Sequence, residues 1–114
     1  MKIVTMDTVV GKLNVRIADS FFSRLKGLLF TSELHKDDCI LISPCGSVHT
    51  IGMRYPIHIV FLSTDNKILD IRLSVKPNRF CIGPTSTKKV VELSPDLDLS
   101  HLQIIGKKFL ESAL

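Results

Sequence analysis

Apolar and polar residues alternate over several short stretches of the chain, and that alternation sets the expected architecture. Leu13, Val15 and Ile17 stand between Lys12, Asn14 and Arg16. A period of two places successive side chains on opposite faces, so this stretch predicts a half-buried strand. Lys2 to Thr5 is a shorter apolar-rich piece suited to a sheet edge, and Val9 to Lys12 reads as a turn. Cys39-Ile40-Leu41-Ile42 predicts a short strand ended by Ser43-Pro44. Ile57 to Leu62 is apolar on both faces, with His58 its one polar member. A strand of that kind is covered on both sides and central in its sheet. After the turn Thr64-Asp65-Asn66-Lys67, the residues Leu69, Ile71 and Leu73 alternate with Asp70, Arg72 and Ser74. Ile57–Leu62 and Ile68–Val75 therefore form the clearest hairpin. Lys89 to Leu93 predicts a further strand, and Lys107 to Leu110 a final one.

Helical spacing is confined to one place. Phe21, Phe22, Leu25, Leu28 and Leu29 recur with Ser23, Arg24 and Lys26 opposite, behind Asp19 and Ser20 as N-caps. This predicts a short amphipathic helix over Asp19–Leu29. Ser94-Pro95-Asp96 has the residues of a helix start and leaves room for one or two turns. Pro77 to Thr87, rich in Pro, Gly, Ser and Thr, reads as a long loop of the kind that carries function. The expectation is a mainly β fold over residues 1–114 as a single domain. It would be a small β-sandwich or partly closed barrel with one short amphipathic helix. An α+β open sheet is the alternative.

Composition narrows the class. The chain has 114 residues, 45% hydrophobic and 23% charged, which suits one core without metals or disulfides. Each apolar run is interrupted by Lys, Asp or Arg before it reaches membrane-spanning length. The first residues, Met1 to Asp7, lack the apolar core and small-residue site of a signal peptide. Three cysteines, Cys39, Cys45 and Cys81, cannot all pair within one chain, which suits a reducing compartment. A soluble, cytoplasmic protein is expected. The net charge of +4 is mildly basic, and Lys88-Lys89 and Lys107-Lys108 are not interleaved with aromatics. That is a weak nucleic-acid signal and suits a solvated surface.

Candidate chemistry concentrates in Pro44 to Pro56. This segment holds Cys45, His49, Thr50, Arg54 and Tyr55, with glycines at 46 and 52. Arg54 offers a fork of donors for a carboxylate or phosphate, and His49 can act as acid, base or ligand near neutral pH. A small anionic ligand held by His49, Thr50, Arg54 and Tyr55 is one reading. The competing reading pairs Arg54 with Glu92 or Asp70 and makes His49 a turn cap. Cys45 and His49 suggest a thiolate–imidazole pair, but only a turn can bring residues four apart on a strand within reach. Cys39, Cys45, His49, His58 and Cys81 lack zinc-site spacing, so no metal and no cofactor are expected. His58 is expected to fill the core or to hydrogen-bond across a sheet. The phenylalanines suit a core, with Phe80, beside Arg79 in the long loop, as the exception.

Several strings then fall in a recognisable order. They are Arg24-Leu25-Lys26-Gly27-Leu28-Leu29, His49-Thr50-Ile51-Gly52-Met53-Arg54-Tyr55-Pro56-Ile57, Val60-Phe61-Leu62 and Val90-Val91-Glu92-Leu93. Over roughly residues 15–109 the chain resembles the domain-of-unknown-function family 192. The resemblance implies a small mainly β fold and no particular activity. The sequence departs from the family pattern at His58, where Asp is usual, and at Gly106-Lys107, where Gly-Asp is common. A shared site built on either carboxylate would be altered here. Three roles follow. The first is a module binding a small anion or peptide in a cleft formed by residues 44–56 and the 77–87 loop. The second is an accessory protein acting by protein contact through exposed strand edges. The third, least favoured, is a Cys45/His49 enzyme.

Overall fold

A computed structural model of the chain describes residues 2–18, 34–100 and 102–111. The described residues form eight strands and no helix: β1 (Lys2–Thr8), β2 (Gly11–Ala18), β3 (Asp38–Ile42), β4 (Ser47–His49), β5 (Ile57–Leu62), β6 (Ile68–Val75), β7 (Phe80–Ile82) and β8 (Lys89–Leu93). Six of them make one sheet in the order β1-β2-β3-β8-β5-β6, and β4 and β7 make a separate ribbon. The fold is mainly β, as the alternation predicts. The expected helix over Asp19–Leu29 lies outside the described residues.

The central strands of the large sheet are buried on both faces, and the sheet is open because β1 and β6 do not pair with each other. Val60 and Leu62 of β5 join Leu13, Val15, Leu41, Val91 and Leu93 in a core on one face. Ile57, Ile59 and Phe61 join Ile40, Ile42 and Val90 on the other. Alternating side chains of the same strands thus feed two separate cores on opposite faces. β1 and β6 remain the two edges. The first face is covered by Leu99, Ile104, Phe109 and Leu110. The β4–β7 ribbon covers part of the second through Val48 and Cys81. The partly closed barrel is therefore corrected to an open sheet with cover on both sides.

Central strands behave as expected: all six residues of β5 and all five of β8 are buried. The hairpin β5–β6 forms, but its register slips twice, between Ile57 and Ile59 and between Phe61 and Leu62. At the first slip β6 carries one extra residue, and Ser74 there has a left-handed φ of 47°. Such a bulge turns later side chains to a new direction. It breaks the predicted burial of the Leu69-Ile71-Leu73 face, and Leu73 is 47% exposed. His58 sits opposite this bulge. Its Nδ1 accepts the Ser74 amide at 2.9 Å, and its Nε2 donates to the Leu97 carbonyl at 2.7 Å. The expectation of a cross-sheet hydrogen-bonding histidine holds, and the ring is 4% exposed.

Three further expectations change. Ser94-Pro95-Asp96 starts a turn and no helix: Ser94 Oγ accepts the Asp96 amide at 3.1 Å, and its carbonyl accepts the Leu97 amide at 3.2 Å. The segment after residue 106 forms a single isolated β-bridge, Lys67 with Lys108, among the described residues, so it is no full strand. The 77–87 loop contains β7, because residues 47–49 offer it a partner strand that periodicity along one segment cannot reveal.

Candidate functional site

The two segments singled out for chemistry meet. β4 and β7 pair antiparallel, with Val48 opposite Cys81 and His49 opposite Phe80. Cys81 turns inward to the core, and its neighbours Phe80 and Ile82 turn outward, each 75% exposed. This is period-two alternation on a ribbon with one covered face.

Thr50 locks the junction. It is fully buried. Its Oγ1 donates to the Lys76 carbonyl at 2.7 Å and accepts the Arg79 amide at 2.9 Å. Its own amide donates to the Arg79 carbonyl at 2.8 Å, and its carbonyl accepts the amides of Asn78 and Met53 at 2.9 and 3.1 Å. Gly52, at φ 85°, donates its amide to Asn78 Oδ1 at 3.3 Å. The turn after β4 is thus docked on the Lys76–Arg79 turn. The Thr50 hydroxyl is committed to the backbone, which makes it a scaffold for the site.

The remaining predicted site residues take different places. His49 is half-buried, its Nδ1 accepting the Ile51 amide at 3.3 Å and its ring lying edge-on to Phe80 at 6.1 Å between centroids. Tyr55 is half-buried against the second core. Arg54 is exposed. The carboxylates suggested as its partners are elsewhere: Asp70 receives Arg72 Nε at 2.8 Å, and Glu92 is fully buried on β8 opposite Ile40 and Ile59. Cys45 is half-buried, and its Sγ–H donates to the Ser47 carbonyl at 3.0 Å. The sheet separates Cys39 from Cys45 and Cys81. Cys39 packs in the first core, Cys45 and Cys81 with the second. Burial, reinforced by the Asp38 carboxylate, pushes the Cys39 thiol up to about 12.

A cleft beside this region lies toward the sheet edge and is not lined by residues 44–56. A groove of about 610 Å³ runs between β6 and β7, lined by residues 71–76 and 79–81. Arg72, Lys76 and Arg79 line it, with Leu73 and Phe80, and no carboxylate does so among the described residues. Arg72 is partly spent: besides Asp70, its guanidinium lies 5.5 Å over the Phe61 ring and donates to the Ile82 carbonyl at 3.4 Å. Arg79 Nη1 makes long bonds to the carbonyls of Pro77 and Asn78, at 3.4 and 3.3 Å. Phe80 and Arg79 were legible from their place in the loop. Lys76, Leu73 and Arg72 were missed, because their convergence with Arg79 and Phe80 depends on β7 lying beside β6.

This geometry can be set beside known proteins. The model of the family DUF192, described as an uncharacterised ACR, matches residues 2–102. The chain belongs to DUF192. The order of strings noted above is thereby accounted for. Among relatives of this DUF192 chain, a UPF0127 protein of Pyrococcus furiosus is 31% identical over 86 residues, covering 71% of this chain and 72% of the relative. A UPF0127 protein of Thermococcus sibiricus is 29% identical over 83 residues, covering 68% of this chain and 53% of the relative. The chain thus spans about half the length of the Thermococcus protein.

Two crystal structures share the fold. A protein of unknown function from Novosphingobium aromaticivorans superposes with a TM-score of 0.75 at 21% identity, over 96% of this chain and 85% of that one. A Sinorhizobium meliloti protein, whose description proposes a transcription regulator, gives 0.76 at 19% identity over 96% and 91%. At such identities the likeness concerns the fold alone. No helix among the described residues is long and apolar enough to cross a membrane.

Proposed function

We propose that this DUF192 chain is a binding module that holds a negatively charged ligand in the groove between β6 and β7. His49 and Arg54 contribute from the adjoining 44–56 segment, while Thr50 and Tyr55 hold that segment in place. The observation that carries this reading is the groove lining, in which Lys76 and Arg79, beside an Arg72 already paired with Asp70, face no lining carboxylate among the described residues. Like charges gathered on one rim raise the local concentration of anions. The exposure of Arg54 supports its part in the same reading.

Glutarate is a suitable probe, since guanidinium and ammonium groups both bind carboxylates. In 1H–15N spectra, millimolar glutarate should move the amides of Leu73–Lys76 and Arg79–Ile82, and added salt should suppress the effect. The double variant Lys76→Ser/Arg79→Ser should lose the response, and Arg54→Ala should weaken it. A wild-type spectrum that glutarate leaves unchanged overturns the proposal.

A further inference from the structure

Building on that anion-binding reading, we infer that the ligand is an extended acidic peptide segment with apolar side chains between its carboxylates. Three observations support this class of partner. The groove is elongated, since one wall is the continuous run Ile71–Lys76 of the edge strand. At about 3.3 Å per residue, such a run matches a partner of about six extended residues. Its chemistry is mixed. Lys76 and Arg79 supply charge, while Phe80, 75% exposed, and Leu73, 47% exposed, supply apolar surface beside them. An aromatic ring held on the surface next to cations is a common anchor in protein recognition.

The same features argue against other occupants. A second copy of this chain would bring the same cationic groove and a net charge of +4 to a cationic surface. A nucleic-acid strand would want a longer cationic track and successive stacking rings, whereas Phe80 is the one aromatic side chain lining the groove among the described residues. Plain strand addition to β6 is also disfavoured. The Ser74 bulge interrupts the ladder, and the Ile71 amide is already held by Asp70 Oδ1 at 2.9 Å. Bulges and edge charges of this kind protect a strand from indiscriminate pairing. Side chains therefore carry the recognition: carboxylates at Lys76 and Arg79, an apolar residue against Phe80 and Leu73.

The test uses a fluorescein-labelled hexapeptide, Val-Glu-Val-Asp-Val-Glu, read by fluorescence anisotropy on the whole chain. It should bind at least about tenfold more tightly than its Ser-Glu-Ser-Asp-Ser-Glu counterpart, a gain typical of one buried apolar anchor. Phe80→Ser, at an exposed position, should abolish that advantage while leaving the glutarate response of the spectra intact. Lys76→Ser/Arg79→Ser should weaken both peptides. Equal binding of the two peptides, an advantage that survives Phe80→Ser, or tighter binding of an oligothymidylate of the same length overturns the peptide assignment. A glutarate response that persists beside any of those results leaves anion binding standing, so the two readings fail separately.

Discussion

Thr50→Val isolates the joint on which the site depends. Valine keeps the shape of threonine, so the substitution removes two hydrogen bonds and little else. In the wild type Oγ1 donates to the Lys76 carbonyl at 2.7 Å and accepts the Arg79 amide at 2.9 Å. The residue is fully buried, so no water can replace the hydroxyl. Each stranded backbone group costs about 1–3 kcal/mol, which puts the loss at about 2–6 kcal/mol. For a domain of this size that is a fall in Tm of roughly 8–24 °C. Urea unfolding followed by circular dichroism measures it directly. Thr50→Ser is the control: it keeps the hydroxyl and loses one methyl, for about 1 kcal/mol. The backbone bonds of residue 50 to Arg79, Asn78 and Met53 persist in both variants, so the sheet itself should survive. A valine variant no less stable than the serine variant would refute the claim that this hydroxyl ties the two turns together.

Other consequences follow from single contacts. Gly83→Ala should cost about 1–3 kcal/mol in the same urea assay, because a Cβ there would stand 2.5 Å from Cδ1 of the buried Phe61. Gly46→Ala, whose nearest neighbour would be 3.7 Å away, should be close to neutral; the reverse order would refute the packing. Thr87 Oγ1 is buried without a hydrogen-bond partner among the described residues, so Thr87→Val should raise stability by about 1 kcal/mol, and a loss would point to an unseen partner. Cys39, whose thiol is pushed up to about 12 by burial and then by Asp38, ionises later in the folded chain than in the unfolded one. Its stabilising contribution is therefore full below pH 9 and fades as pH rises toward 12. Wild type should lose about 1.4 kcal/mol per pH unit relative to Cys39→Ala across that window, and parallel curves for the two would refute it.

The sequence by itself determined the strands whose partners are written in their own pattern. Alternation marked β2, and an apolar run interrupted only by His58 marked β5 as a strand buried on both faces. The turn at Thr64–Lys67 joined β5 to β6. Residue chemistry pointed to 44–56, and loop length and composition to 77–87, as the place for a site, with Phe80 as the aromatic outside the core. These features depend on neighbours close in the chain, or on burial alone, and so are legible locally. Tertiary structure decided the rest. The pairing of β4 with β7 joins residues more than thirty positions apart, and neither segment has a period strong enough to announce it. The bulge at Ser74, held by His58 from the neighbouring strand, turned Leu73 outward against the alternation. The return of β7 beside β6 set Arg72, Lys76 and Arg79 along one groove. A single extra residue reverses which face a side chain occupies, because strand periodicity is two. The meeting of β6 with the β7 segment, which no local pattern encodes, moved the candidate site from the 44–56 segment to the edge of the sheet.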